Sequence, residues 1–242
     1  MRILTADIVA GVRRTGEMLP KEVDLAAEFD VSRGVARETI RAMEERGLVT
    51  VKHGKGATIN APDSWDVFDA DVLAATLDTD QGVDVLKEYL ECRRILEVEA
   101  AGLAAERATK AHIKQLAEAV RRMEETTVRP SGQAAEELFH ESDIAFHQAL
   151  IAATGNRPLA GLVERLHSAL LLARYPLARP QYRIERALPE HRRIFDAVSD
   201  GDAGKARAAM SDHLDTIAGY LDEYRRGKDR RRAAPPNRSG RS

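Results

Sequence analysis

Four residues scattered over the second half of this 242-residue chain have the types and spacing to hold a metal ion. Asp143 and His147 stand four apart, so on a helix they share one face. His191 opens a later helical stretch, Glu190-His191-Arg192-Arg193-Ile194, and His213 sits in Met210-Ser211-Asp212-His213-Leu214 on the last long one. Three helices of a bundle can direct one carboxylate and three imidazoles into a shared cavity. That ligand set suits Zn²⁺, Ni²⁺, Mn²⁺ or Fe²⁺. On a metal that prefers five or six ligands it leaves room for solvent or an effector oxygen. His140, three residues before Asp143, is a rival ligand. A lone histidine on a helix is ordinarily a surface or satisfied core residue, and the remaining three, His53, His112 and His167, carry no such pattern.

A second chemistry is written near the N-terminus. Arg33 and Arg37 are four apart and Arg41 adds a turn, giving three guanidinium groups along one side of a helix that Ser32 is placed to cap. An arginine can grip guanine O6 and N7 in a bidentate pair. Gly34 has no side chain, so backbone could approach DNA closely there, while Val35, Ile40 and Met43 are expected to point inward. Downstream, Lys52-His53-Gly54-Lys55-Gly56 combines two lysines with little bulk, which suits phosphate or minor-groove contact.

The elements that must position these groups follow from pattern and punctuation. A first helix is expected to continue from Asp7 to Arg14 and end at Gly16. Pro20 opens a second, Lys21–Phe29, and Asp30-Val31-Ser32 makes the turn into a third, Arg33–Arg46, stopped by Gly47. Leu48–Val51 and Ala57–Ile59 flank the glycine-containing turn and read as a hairpin. Helix, tight turn, helix and hairpin is the layout of a winged helix-turn-helix. Ala61-Pro62-Asp63 reads as a linker. Beyond it no strand pattern occurs, and amphipathic helices are expected at about 67–78, 82–107, 109–126, 133–154, 157–174, 185–199 and 203–225, with Gly155, Pro176, Pro180, Pro189 and Gly201 as breaks. The expected architecture is mainly α: a winged helix-turn-helix over 1–61, an all-helical bundle over 62–226 and a disordered basic tail over 227–242.

Composition bounds the setting. The formal net charge of −2 divides into +1 for residues 1–60, −10 for 61–224 and +7 for 225–242. An acidic middle with less acidic ends is compatible with nucleic-acid binding at the ends, but the weak +1 makes the placement of charges decisive. The single cysteine, Cys92, excludes an intrachain disulfide. With no signal-like N-terminus and no apolar run long enough to span a bilayer, a cytoplasmic setting without a membrane partner is expected.

Two stretches carry a family resemblance. LPKEVDLAAEFDVSRGVARETIRAMEERGLVTVKHGKGATIN resembles the DNA-binding domain of GntR-type regulators, in which L-P-S-E-R-x-L-A is followed by V-S-R-x-x-V-R-x-A-L, G-L and a G-x-G wing. The resemblance implies that Arg33 and Arg37 are the main readers, with Ser32, Arg41, Lys52, His53, Gly54 and Lys55 in support. Lys21 stands where the family usually has a capping Ser. Val23 stands where many members carry an Arg that touches DNA, so a different operator preference is expected. The patterns D-x-x-F-H-x-x-L-x-x-A-x-G-N from Asp143, E-H-x-x-I-x-x-A-V-x-x-G-D from Glu190, and M-x-x-H-L from Met210 are similar to the FCD ligand-binding domain of FadR-type members. By that resemblance the metal ligands are Asp143, His147, His191 and His213, and Arg93 is an effector-facing arginine. An Arg fork and a metal can hold one carboxylate from two sides. Asn156 either faces the same pocket or caps a helix.

The function implied is that of a homodimeric regulator, most simply a repressor, whose affinity for double-stranded operator DNA responds to a small carboxylate or sugar-acid-like metabolite bound at a divalent transition metal. Two rivals remain at this level: a sensor of the metal itself, and a metalloenzyme with a DNA-binding appendage. Four protein ligands already on the metal and the absence of an obvious partner base weigh against the enzyme.

Overall fold

The computed structural model describes residues 1–127, 133–172 and 182–233. They form two compact units, one of Met1–Val85 with the segment from His167 to Leu172, and one of Leu86–Leu166 and the helices from Tyr182 onward.

In the first unit, α1 (Arg2–Val9) buries Leu4, Thr5 and Ile8. It ends earlier than expected, at Val9 instead of continuing through Arg14 to Gly16, because Ala10 closes the helix and Gly11 takes a left-handed φ of +74°. Helix α2 (Glu22–Glu28) begins at Lys21, whose side chain makes no capping bond, as expected from the missing Ser. In α3 (Arg33–Glu45), Ser32 caps the N-terminus and its Oγ accepts from the Val35 N–H at 3.3 Å.

Strands β1 (Val49–Lys52) and β2 (Gly56–Ile59) form the antiparallel hairpin, in register from Val49↔Ile59 to Lys52↔Gly56. The chain before α2 extends the pairing on the far side of β2: the Leu19 N–H donates to the Ala57 carbonyl at 2.9 Å. Leu4, Ile8, Leu19, Leu25, Met43, Leu48, Val49 and Ile59 share one apolar core. Such burial contributes roughly 1.5–3 kcal/mol for each large side chain.

That core also takes in Val72 of α4 (Ala70–Leu77), with Trp65 packed against it. Asp69 caps α4 and forms an ion pair with Arg46 at 2.8 Å. The residues after Ala61 are grouped with the first unit up to Val85. The physical reason is that α4 turns its apolar side onto the head, where Val72 and Leu73 are buried.

Beyond α4 the described elements are all helices: α5 (Gly82–Arg107), α6 (Lys110–Thr127), α7 (Gln133–Ala153), α8 (Arg157–Leu172), α9 (Tyr182–Ser199) and α10 (Ala203–Ala233). Helix α7 packs on α6, and α9 packs on both α6 and α10. Leu116, Met123, Phe146, Leu150, Ile194, Met210 and Leu214 are fully buried. Gly155 and Gly201 break the chain as expected, with φ of +65° and +72°.

Pro189 does not break it; α9 runs through from Tyr182. A proline inside a helix removes one backbone donor, and here packing on two neighbouring helices outweighs that loss. Helix α10 likewise continues beyond 225 to Ala233, so residues 227–233, expected as disordered tail, are helical. Arg, Lys and Ala are all good helix formers. Pro176, Pro180 and residues 234–242 lie outside the described residues.

Candidate functional site

Two surfaces bring the singled-out residues together, one in each unit. On α3, Arg33, Gly34, Arg37 and Arg41 are all exposed, and the buried side is Ala36 and Met43 with Ile40 partly covered. Arg37 Nε lies 3.3 Å from Glu22 Oε2, and Arg41 Nε lies 3.7 Å from Glu45 Oε1. Exposed pairs of this kind contribute about 0–1 kcal/mol, so a phosphate or base edge can draw either arginine away. Val35, expected inward, is exposed instead. It lies one helical position short of Ala36, which takes the inward place. Val23, at the position where the family resemblance implies an Arg, is exposed as well.

The wing tip, Lys52, His53, Gly54 and Lys55, is exposed and closed by the Lys55 N–H donating to the Lys52 carbonyl at 2.9 Å. Gly54, at φ +73°, supplies the left-handed residue the turn needs.

In the second unit, Asp143 and His147 come from α7, His191 from α9 and His213 from α10. Ligand atoms of the three histidines all lie within 4.8 Å of one another, and all three rings are buried. Asp143 Oδ1 lies 3.0 Å from His191 Nε2. The three predicted histidine ligands are thus gathered, with Asp143 joined to them through His191, while the rival His140 is not in the group. Phe146 packs edge-on to His191 at 4.9 Å between ring centroids and walls one side.

The hydrogen bonds around the cluster fix which nitrogen each ring presents. His191 Nδ1 donates to the Ala187 carbonyl at 2.7 Å, which leaves Nε2 for the cluster. Nε2 faces a carboxylate oxygen of Asp143 at 3.0 Å, a contact that either a shared proton or a cation would close. His213 Nδ1 donates to Glu190 Oε2 at 2.8 Å, and its Nε2 is buried with no hydrogen-bond partner among the described residues. His147 Nδ1 lies 3.0 Å from Glu97 Oε2. Burial pushes the His147 and His213 imidazoles below their usual value, His213 to about 3, against the opposing pull of Glu97 and Glu190. Both rings are therefore neutral near pH 7 and have lone pairs to give, the state a metal requires.

Glu97 and Glu190 were not singled out from the sequence. Glu97 is fully buried on α5; Glu190, nearly buried on α9, also accepts from Thr216 Oγ1 at 2.6 Å. Burial raises the Glu190 carboxyl, but hydrogen bonds from His213 and Thr216 outweigh it, and the group is held below its usual value. The i,i+4 spacing of Arg93 and Glu97 was the available signal. Arg93 Nε and Nη2 lie 2.6 Å and 3.3 Å from the Glu97 carboxylate oxygens, so Arg93 reaches the cluster through Glu97. Asn156 caps α8: its Oδ1 accepts from the Leu159 N–H at 3.2 Å.

Comparison with known proteins agrees with both halves. Residues 1–59 match the family described as bacterial regulatory proteins, gntR family, and residues 88–216 match the FCD domain. The chain is 33% identical over 222 residues to the HTH-type transcriptional regulator LutR of Bacillus subtilis, covering 88% of this chain and 97% of that protein. It is 31% identical over 211 residues to the galactonate operon transcriptional repressor of Escherichia coli, covering 85% and 88%. A solved structure of Lar, described as controlling expression of the Listeria monocytogenes agr system, shares the fold with a TM-score of 0.64 at 18% identity over 91% of this chain and 94% of that one. No described helix is long and apolar enough to cross a membrane. With an exposed arginine helix and wing at one end of the sequence and an FCD domain at the other, the chain belongs to the GntR family: it is a DNA-binding transcriptional regulator, not an enzyme.

Proposed function

We propose that this regulator binds operator DNA as a homodimer and that a small carboxylate, held at a divalent metal in the helical unit, lowers its operator affinity. The observation that carries the reading is the convergence of three buried imidazoles from three helices, with the Asp143 carboxylate against one of them and two Nδ1 atoms already committed to hydrogen bonds. Asp143, His147, His191 and His213 would hold the ion. A bound metal supplies Lewis acidity and an open coordination position for a carboxylate oxygen. The chain's own part is to hold four ligands in place and keep the cluster dry. Arg93 is the cation assigned to the carboxylate, and its engagement by Glu97 means an effector must share or displace that pair. The relative named for a galactonate operon supports a sugar acid as the effector class.

On the DNA side, Arg33 and Arg37 read or clamp the major groove, Ser32 and Arg41 support them, and Lys52, His53, Gly54 and Lys55 form the wing contact. Two copies of α3 would meet a pseudo-palindromic operator. The effector must bind one pose of the two heads better than the other, or the equilibrium does not shift.

The test is an operator-binding titration in which metal and carboxylate are varied independently, starting with galactonate and other sugar acids. Release of the operator only when both are present is the expected result. If metal alone toggles binding and no carboxylate alters it, the metal is itself the signal. Arg37→Ala should weaken operator binding at least tenfold with the oligomeric state preserved. Unchanged affinity removes Arg37 from the reading face.

A further inference from the structure

The three imidazoles are held by three different neighbours, and the difference has a consequence. His191 Nδ1 is satisfied by a backbone carbonyl of its own helix, Ala187, which every side-chain substitution leaves in place. His213 and His147 instead depend on carboxylates carried by other helices: Glu190 on α9 holds His213 of α10, and Glu97 on α5 lies against His147 of α7. Both carboxylates are themselves fixed from behind. The Thr216 hydroxyl donates to Glu190 Oε1 at 2.6 Å, and the Arg93 guanidinium grips Glu97 through Nε and Nη2.

Deepening the metal reading above, we propose that Glu190 and Glu97 are positioning residues for the cluster. Glu190 keeps the His213 imidazole protonated on Nδ1, so that Nε2 carries the lone pair, and Glu97 places negative charge 3.0 Å from His147 Nδ1. A neutral imidazole can donate from only one nitrogen. A carboxylate is acceptor-only, so at 2.8 Å from His213 it selects the Nδ1–H form and excludes the other tautomer. Negative charge behind the ring also raises its basicity toward a cation. Without Glu190, the ring would be free to turn its N–H to the cavity and would no longer be a ligand. The arrangement ties α5, α7, α9 and α10 into one unit whose geometry the cation reads. Helix α5, which supplies no ligand, takes part through Glu97.

Removal of a partner of this kind typically costs about 10–100-fold in metal affinity. The test uses the full chain, stripped with chelator and titrated with Zn²⁺ against a competing indicator. Wild type, Glu190→Gln, Glu190→Leu and Glu97→Gln are compared. Glu190→Leu should bind Zn²⁺ about 10–100-fold more weakly. Glu190→Gln, whose amide oxygen still accepts from Nδ1–H, should stay within a few-fold of wild type. Two-bond ¹H–¹⁵N spectra of the zinc-free protein should show His213 protonated on Nδ1 in wild type and Glu190→Gln, with that preference lost in Glu190→Leu. Glu97→Gln should weaken Zn²⁺ binding less than Glu190→Leu and shift the His147 signals.

Equal Zn²⁺ affinity in Glu190→Leu and wild type, with His213 still Nδ1-protonated, overturns the assignment. Should Glu190→Leu fail to fold, an Nε2–H tautomer for His213 in the zinc-free wild type overturns it independently. If wild type itself takes up no Zn²⁺, Ni²⁺, Mn²⁺ or Fe²⁺, the metal reading fails, an outcome distinct from either of these.

Discussion

His213 gives up most of its proton affinity on folding. Its value falls from the ordinary 6.5 to about 3, chiefly because burial disfavours the cation. Between those two values the unfolded chain binds a proton that the folded chain refuses. Stability is therefore full above about pH 6.5 and is lost as the pH falls toward 3. His147 is lowered for the same reason, and Glu190, held below its usual 4.5, acts in the same direction. Thermal unfolding of chelator-treated protein should show a clearly lower Tm at pH 5 than at pH 8; equal values would contradict the buried, neutral histidines. Metal should restore part of that loss, since a ligand of the folded state raises its stability. His191→Ala should cut the metal retained after dialysis, measured by elemental analysis, to well below one ion per chain.

The four proposed ligands were legible in the sequence, because Asp143 and His147 are one helical turn apart and His191 and His213 sit in motifs of a known domain. Glu97 and Glu190 were not. Acidic side chains are common on helices, and only the packing of α5 on its neighbours shows that Glu97 is buried.

Elements decide how these groups are presented. Gly47 ends α3 at φ +70°, and a Cβ there would stand 1.9 Å from the Ser64 carbonyl oxygen. The Asn60 side chain donates to the Gly47 carbonyl at 2.8 Å and locks the turn to the hairpin. Gly47→Ala should cost roughly 1–3 kcal/mol from backbone strain alone. It should lower the denaturant midpoint of the head, whereas Gly54→Ala, with open space around its Cβ, should cost less. Comparable midpoints for the two variants would show that the Ser64 contact is relieved cheaply.

Helix α3, its Ser32 cap and the hairpin were readable from local chemistry. The ends of α1, the passage of α9 through Pro189 and the exposure of Val35 were not. Each depends on what a helix packs against, and a one-residue rotation separates the buried Ala36 from the exposed Val35.

At the scale of the molecule, charge placement matters more than charge sum. Residues 1–60 carry a net charge of only +1, yet Arg33, Arg37, Lys52 and Lys55 all stand exposed on α3 and the wing. Operator affinity should fall linearly with log salt concentration, and Lys55→Ala should make that slope shallower by about one unit while weakening selected and random duplexes alike. A slope unchanged by Lys55→Ala would take the wing off the phosphates.

The sequence alone determined the two-part plan: a winged reading head, an all-helical sensing region, and the residue types each needs. Helical periodicity, caps and turn glycines are local, and a family's spacing preserves them. Tertiary structure alone decided that residues 62–85 belong with the head and that Glu97 and Glu190 stand behind the histidines. It also decided which face of α3 is wet. Those outcomes are set by which apolar surfaces bury one another between segments far apart in the chain, and no local pattern encodes that pairing.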